Sequence, residues 1–330
     1  MTQRLPIRFR GTGAYVPQEV LNNQHFINRL DTTDEWIITR TGIRERRRAA
    51  ANECTSTLAA QAALRAIADA EMTADEIDLI VCATATGDCP WPATAAFVQK
   101  AIGARTVPSL DVGAACAGFL YATVVTAGLL ATGMYKKALT IGAETLTRFA
   151  DPEDRRTAVL FGDAAGAAIV TPTDAPGAGI LYSDLGCDAS CTEHIWVPAG
   201  GSRLPASAAT VAERLHYMRM RGREVYKFAV VKMQELIDAA LEATGLSPSD
   251  LKMIIPHQSN LRIIESVRDR LGLPREKVAI NIDRYGNTSA ASVIMALDEG
   301  RKNGRLKEGD LILMIAIGAG LTWAVMIVRL

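Results

Sequence analysis

The chain has no excess of charge of either sign, few aromatic residues and few cysteines for its length. Its 36 basic residues balance its 36 acidic residues, and only 5% of its 330 residues are aromatic. Zero net charge argues against a general nucleic-acid surface. The six cysteines stand at irregular spacings, unlike the disulfide framework of a small secreted domain. They are Cys54, Cys82, Cys89, Cys116, Cys187 and Cys191.

Long hydrophobic runs and leader-like segments are also missing. No stretch approaches the roughly 20 apolar residues without polar breaks that a membrane helix needs. The opening segment, MTQRLPIRFRGTG, lacks the apolar core of a signal peptide. With 49% hydrophobic residues the chain is not disordered. We therefore expect a soluble cytoplasmic protein without nucleic-acid or membrane partners.

Strand-like and helix-like segments alternate along the chain, which is typical of an α/β fold. Apolar, β-branched runs at residues 77–84 and 138–141 predict strands that are covered on both faces. A further strand is predicted over residues 108–112. Helical spacing of apolar residues predicts helices over residues 56–70, 115–132, 224–243 and 260–271.

The front and back halves of the chain carry similar successions of segments. EIDLIVCATAT, TVPSLDVGAACAG, KALTIGAET and GAAIVTP in the front correspond to DLKMIIPHQSN, KVAINIDRYGNTSAAS, DLILMIAIGAG and TWAVMIVRL in the back. This predicts a duplicated α/β unit divided into residues 1–172 and 173–330. Because ligands bind at strand ends in open α/β sheets, we expect one shared site at Cys116, His257 and Asn287.

Cys116 follows a predicted strand across a short turn and opens a helix of small residues. A helix N-terminus favours the thiolate, so we expect the pKa of this thiol to be lowered. A buried structural cysteine would fit the same pattern.

His257 and Asn287 each follow a predicted strand and precede a helix. Alone, each is compatible with a capping or turn residue. With Cys116 they offer a nucleophile, a neutral imidazole and an amide donor, a set suited to thioester chemistry in which an oxyanion or enolate is held by hydrogen bonds. The glycines of the segment GAG, residues 318–320, could add backbone donors or could simply form a tight hairpin.

Two other motifs have weaker support. Gly11-Thr12-Gly13 begins like a dinucleotide-binding fingerprint but lacks its third glycine. Cys187, Cys191 and His194 have spacing compatible with metal ligation, yet no fourth ligand or paired motif follows. We expect neither a nicotinamide site nor a metal site.

Three segments in fixed order, DVGAACAGF, PHQSNLR and YGNTSAAS, make the chain resemble the beta-ketoacyl-acyl-carrier-protein synthase III family of thiolase-fold condensing enzymes. The resemblance runs from TDEWIITRTGIRER through DPEDRRTAVLFGDAAGAA to LTWAV. Elongating relatives use a second histidine in place of the asparagine, and degradative thiolases use a second cysteine. The resemblance implies an α/β thiolase-like fold in which two βαβαβαββ halves form five layers, α-β-α-β-α.

The resemblance also implies a two-stage reaction that initiates fatty acid synthesis. Cys116 would take an acyl group from acyl-coenzyme A, and malonyl-acyl-carrier-protein would then lose carbon dioxide and condense with it. His257 and Asn287 would hold the malonyl thioester carbonyl, and the N–H groups of Cys116 and Ala319 would form the oxyanion hole. No cofactor is implied, because the coenzyme A thioester is a substrate.

The family's binding residues match positions in this chain. Coenzyme A would contact Thr32, Trp36, Arg40 and Arg155, with its adenine between Trp36 and Arg155. The acidic carrier protein would dock on Gln258, Ser259, Asn260, Leu261 and Arg262, extended by Arg223 and Lys227.

The resemblance further implies a homodimer and an acyl pocket. Trp91 stands where the family commonly has a phenylalanine that crosses the dimer interface to the acyl pocket, so we expect short primers. Leu146 and Phe161 would form other walls. The alternatives are a secondary-metabolism acyltransferase or condensing enzyme, and a non-catalytic module that binds acyl-coenzyme A or carrier protein.

Overall fold

Two β-sheets organise the computed structural model, which describes residues 4–330. The first sheet contains, in spatial order, β1 (Ile7–Tyr15), β7 (Asp163–Pro172), β6 (Ala138–Thr145), β4 (Leu79–Ala83) and β5 (Ser109–Val112). The second contains β11 (Met253–Pro256), β12 (Leu311–Gly318), β13 (Thr322–Arg329) and β8 (Gly179–Cys187). Two small antiparallel pairs are β2 (Glu19–Asn22) with β3 (Glu45–Arg48), and β9 (Ile195–Trp196) with β10 (Arg219–Met220).

Ten α-helices connect and cover these sheets in the described part of the chain. They are α1 (Asn23–Ile27), α2 (Asp34–Thr41), α3 (Thr55–Asp69), α4 (Thr94–Ile102), α5 (Gly118–Ala131), α6 (Ala208–Ala212), α7 (Gly222–Thr244), α8 (Leu261–Arg270), α9 (Ile282–Tyr285) and α10 (Ala291–Lys302). The four predicted helices correspond to α3, α5, α7 and α8, and the three predicted strands correspond to β4, β5 and β6. Across residues 4–330, no helix combines the length and apolar character that crossing a bilayer requires.

The two sheets repeat one topology, as the internal similarity predicts. In each, a parallel pair of strands adjoins two antiparallel ones, so β4, β6, β7 and β1 correspond to β11, β12, β13 and β8. The counterpart of β5 is reduced to a single parallel bridge between Ile254 and Val278. The division at residue 172 stays a prediction.

The apolar side chains form three main layers of core. One cluster joins α3 and α4 to the outer face of the first sheet, and another joins α7 and α8 to the outer face of the second. Between the sheets, α5 and α10 contribute to a third cluster that includes strands of both. This arrangement confirms the predicted five layers.

Small residues allow α10 to approach the first sheet closely. A Cβ added to Gly142 on β6 would lie 2.3 Å from the Ala290 carbonyl oxygen, and one on Gly118 would lie 3.3 Å from the Ala290 Cβ. A Cβ added to Gly166 on β7 would lie 2.5 Å from the Ile294 side chain. The start of α10 therefore lies directly against β6 and the start of α5.

Gly11 and Gly13 also serve helix packing. Cβ atoms added there would lie 2.5 Å from backbone atoms of α3 and the residue that follows it. The glycines thus let α3 contact β1, which accounts for the motif without a nucleotide.

We expect Gly142→Ala to destabilise the protein by at least ~2 kcal/mol, because the added methyl group would meet backbone atoms that cannot rotate away. The measurement is the free energy of unfolding in denaturant. Gly128→Ala is the matched control, since Gly128 is exposed in α5 with nothing within 4 Å of an added Cβ. That change should be neutral or stabilising by up to about 1 kcal/mol. Equal effects of the two substitutions would contradict this account of the packing.

Candidate active site

Cys116 lies in a tight turn between β5 and α5. The turn spans Ala115–Ala117, and Ala115 has a φ of +46°, a left-handed conformation that L residues rarely adopt. This conformation reverses the chain sharply after the strand. The Cys116 side chain consequently lines the cavity between the two halves of the fold.

The expected lowering of the Cys116 pKa is wrong for this structure. Burial raises the pKa of the thiol to about 12, while interactions with the Ser289 hydroxyl and with its own backbone N–H act in the opposite direction. The α-helix proper begins two residues later, at Gly118. Desolvation therefore outweighs any effect of the helix terminus, and the thiol is protonated near neutral pH.

His257 follows β11 directly and is almost fully buried. Its Nδ1 lies 2.6 Å from Ser292 Oγ, while Nε2 has no hydrogen-bond partner within residues 4–330. The Gln258 backbone N–H donates to Ser292 Oγ at 3.4 Å, which directs the serine proton towards Nδ1. We assign the ring proton to Nε2 on this basis.

Burial lowers the pKa of His257 to about 3. The imidazole is therefore neutral at physiological pH. A neutral ring with a proton on Nε2 donates one hydrogen bond into the cavity without introducing a charge there. This is the form that can hold a carbonyl oxygen and stabilise it as negative charge develops.

Asn287 is held on both sides by the strand-like segment that contains Phe161. Its N–H donates to the Leu160 carbonyl at 2.9 Å, and its own carbonyl accepts from the Gly162 N–H at 3.0 Å. The side-chain Oδ1 accepts from the Ser289 N–H at 2.9 Å, which leaves the amide nitrogen as the free donor. Contrary to expectation, Asn287 follows the short helix α9 and Gly286, not a strand.

Ala319 follows β12, and it lines the same cavity as the three residues above. A Cβ added to the preceding Gly318 would lie 2.8 Å from the Cys116 nitrogen. The end of β12 is thus in direct contact with the backbone of Cys116. Close approach at this point explains why glycine occupies position 318.

The cavity has a volume of about 440 Å³ and mainly apolar walls. Leu146 and Phe161, both predicted as acyl-pocket residues, are buried and line it. They pack with Met218 and Ile195, which the sequence did not suggest. Trp91 does not line the cavity of its own chain, and 82% of its surface is exposed. Its contribution to a partner's pocket stays a prediction.

Of the predicted coenzyme A residues, Trp36 and Arg40 lie in α2 and Thr32 lies just before it. The Arg155 guanidinium lies 5.4 Å from the centre of the Trp36 ring and donates to the Asp31 carbonyl at 2.5 Å. A flat base between them would need about 7 Å, twice a van der Waals separation of about 3.5 Å, so the predicted stacking would require Arg155 to shift. Thr32 has a buried hydroxyl with no partner in the described chain, and Arg40 is exposed.

The predicted docking residues separate into a surface group and an internal group. Arg223, Lys227 and Arg262 are exposed, and Arg262 stacks over Tyr226 at 5.5 Å. Asn260 caps α8 and donates to the Arg40 carbonyl at 3.0 Å, so it joins α8 to α2. Ser259 lines the cavity and Leu261 packs against Gly42.

Gln258 requires a correction, because it is buried and has no surface to offer a partner. Its amide donates to the carbonyls of Pro256 and Ala279, at 2.8 and 3.1 Å, and its Oε1 accepts from two backbone N–H groups that precede and begin α9. The side chain therefore fixes the loop after His257.

Within residues 4–330, no cluster of three or more potential metal ligands is found, at Cys187, Cys191 and His194 or elsewhere.

Sequence reasoning missed three polar residues around the reacting groups. Ser292 orients His257, Ser289 contacts both Cys116 and the loop of Asn287, and Glu144 is fully buried behind Ser289. The two serines lie in the YGNTSAAS motif and could have been suspected from it. Glu144 is the next-to-last residue of a mostly apolar strand, where a carboxylate normally indicates the solvent-exposed end.

Comparisons with known proteins agree on one family. The family described as 3-Oxoacyl-[acyl-carrier-protein (ACP)] synthase III matches residues 110–189, and its C-terminal part matches residues 241–330. Beta-ketoacyl-[acyl-carrier-protein] synthase III of Symbiobacterium thermophilum is 50% identical and covers 98% of both chains. The corresponding protein of Caldanaerobacter subterraneus is 47% identical, covering 100% of this chain and 99% of its own. A crystal structure of that synthase from Thermus thermophilus has a TM-score of 0.90 at 43% identity, covering 97% of this chain and 98% of the other.

Proposed function

The chain belongs to the 3-oxoacyl-[acyl-carrier-protein] synthase III family, the beta-ketoacyl synthases that initiate fatty acid synthesis, and we propose that it works through an acyl thioester on Cys116. Its substrates in this proposal are a short acyl-coenzyme A and malonyl-acyl-carrier-protein. One observation carries the proposal: the unpartnered Nε2 of His257 and the free amide nitrogen of Asn287 belong to the cavity that contains the Cys116 thiol.

The first stage transfers the acyl group to Cys116. The Cys116 thiol gives its proton to a neighbouring base, and the thiolate attacks the thioester carbonyl. The resulting oxyanion accepts hydrogen bonds from the backbone N–H groups of Cys116 and Ala319. The contact of Gly318 with the Cys116 backbone supports this pairing of donors. Collapse of the intermediate expels the coenzyme A thiolate and leaves the covalent acyl-enzyme.

The second stage uses the two side-chain donors. His257 Nε2–H and the Asn287 amide hold the thioester oxygen of the malonyl group while its carboxylate leaves as carbon dioxide. The electron pair of the broken bond passes into the enolate, whose oxygen these donors stabilise. The enolate carbon then attacks the acyl-Cys116 carbonyl, and the cysteine sulfur departs. A neutral imidazole suits this role, because it is a donor that needs no proton from solvent.

Binding of the two large substrates is assigned to neighbouring surfaces. Trp36 and Arg155 are proposed to stack on the adenine of coenzyme A, with Arg40 towards its phosphates and Thr32 beside it. Arg223, Lys227 and Arg262 present positive charge to an acidic carrier protein. The hydrogen bond between Asn260 and Arg40 joins the two surfaces.

We propose that the protein acts as a homodimer in the cytoplasm. β5 lies at the edge of the first sheet, and an exposed edge is open to pairing with another chain. The exposed Trp91 is a large apolar side chain that a partner subunit would cover. In that assembly its ring would close the partner's acyl pocket and limit the primer to a short chain.

Intact-protein mass spectrometry after mixing with a panel of acyl-coenzyme A esters tests the proposed reaction. We expect one acyl adduct per chain with short esters and none in Cys116→Ala. Addition of malonyl-acyl-carrier-protein should discharge the adduct to a 3-ketoacyl product. An adduct that resists malonyl-carrier would indicate an acyltransferase with another acceptor. No adduct with any ester would contradict the proposal and favour a non-catalytic module that binds acyl-coenzyme A or carrier protein.

The two substrate surfaces predict separable kinetic effects. Arg262→Glu should raise the KM for malonyl-carrier about tenfold by placing a negative charge against an acidic partner, with Cys116 acylation unchanged. Trp36→Ala should slow acylation by dilute acyl-coenzyme A and leave the KM for malonyl-carrier unchanged. Steady-state and single-turnover rates measure the two effects.

Lys307→Glu is the matched control for the charge reversal. Lys307 is exposed and precedes β12, at the end of that strand opposite to Ala319, so it should alter neither rate. An equal rise in KM for Lys307→Glu would show that net charge alone is responsible, and the docking assignment would fail.

A further inference from the structure

Glu144 is a fully buried carboxylate for which the reaction above has no use. It is the next-to-last residue of β6 and accepts hydrogen bonds from the Thr86 hydroxyl at 2.6 Å and from the Ala85 N–H at 3.2 Å. The Thr84 hydroxyl adds a further donor at 3.4 Å. A buried carboxylate in an apolar core is destabilising unless its surroundings satisfy it, so this degree of hydrogen bonding calls for an explanation.

Ser289 lies between this carboxylate and the nucleophile. Its hydroxyl donates to Glu144 Oε1 at 3.0 Å, and Ser289 lines the same cavity as Cys116, where its hydroxyl acts to lower the pKa of the thiol. The residue has a φ of +47°, an unfavourable conformation for a side chain of this type. The strained backbone thus places the hydroxyl against Glu144 and in the cavity that contains the Cys116 thiol.

We propose that Glu144 accepts the Cys116 proton through Ser289. The S–H proton moves to Ser289 Oγ while the serine's own proton moves to Glu144 Oε1, which leaves a thiolate and a neutral carboxylic acid. The net charge of the site does not change, and no proton has to leave a cavity that the substrate covers. The inference rests on the proposed role of Cys116 as the nucleophile.

The surroundings of Glu144 suit a proton acceptor. Burial raises its pKa to about 7, whereas the pKa of His257 is lowered to about 3, so the carboxylate is the better acceptor of the two. The titratable groups that face it are the thiols of Cys116, beside α5, and Cys82, on β4. Burial raises the pKa of both thiols, so both are neutral in the range where Glu144 titrates.

The relay predicts a distinctive pH profile for alkylation of Cys116 in the free enzyme. The reactive form has a thiolate beside a neutral Glu144, so its population rises with pH up to about 7 and is then constant. In Glu144→Gln the amide keeps a hydrogen-bond donor to Ser289 but cannot titrate. Its rate should rise about tenfold per pH unit throughout and exceed that of the wild type at pH 9.

The measurement is the iodoacetamide alkylation rate of Cys116 between pH 5.5 and 9, followed by peptide mass spectrometry. Asp163→Asn is the matched control, because Asp163 is also buried and also bonds backbone N–H groups and a threonine, but those partners are Ala49 and Thr147. It should keep the wild-type profile. Ser289→Ala should slow alkylation about tenfold or more, since the hydrogen bond to the thiolate is lost.

Profiles of the same shape for the wild type and Glu144→Gln would overturn the relay and leave Glu144 a structural role. An unchanged rate in Ser289→Ala would overturn it equally, because the bridge would then be unnecessary. Alkylation needs no acyl-coenzyme A, so these results are independent of the acylation experiment. Failure of acylation with the predicted profiles intact would reject the proposed function and not the relay.

Discussion

The close packing of α10 against β6 and α5 is the constraint on which the site depends. Gly142 and Gly118 leave room for Ala290, so the loop that carries Asn287 and Ser289 lies beside the turn that carries Cys116. A larger residue at either glycine would separate the two halves of the site. The chemistry therefore depends on an interface of small side chains that have no chemical role themselves.

The same packing removes water from the reacting groups. A thiol and an imidazole in such surroundings both favour their neutral forms, as the raised pKa of Cys116 and the lowered pKa of His257 show. In the proposed reaction, developing negative charge would be met by oriented N–H donors, which are effective because little reorganisation is needed. Buried polar partners, Ser292 for His257 and Ser289 for Cys116, keep these donors and the nucleophile in place.

The family resemblance implies the layered fold, and the duplicated unit predicts that Cys116, His257 and Asn287 meet, although Asn287 follows a short helix and not the expected strand. Sequence reasoning fails where burial decides the pKa or the role of a side chain. The small residues at the start of α5 indicate a helix terminus, but no local pattern reveals that desolvation outweighs it. Gln258 belongs to a motif predicted to lie on the surface. Its side-chain amide is instead buried and hydrogen bonds with backbone groups of the surrounding loops. The buried position of Glu144 cannot be predicted from its neighbours in the sequence, because its hydrogen-bond donors come from segments far apart in the chain.

The central claim is that His257 is a neutral donor with its proton on Nε2. Imidazole nitrogen NMR of 15N-histidine-labelled protein between pH 8 and 5 tests it most directly, with His257→Gln identifying the signal among the four histidines. The account predicts a protonated Nε2, an unprotonated Nδ1 and no titration over this range. A signal that titrates near pH 6.5, or one with the proton on Nδ1, would contradict it.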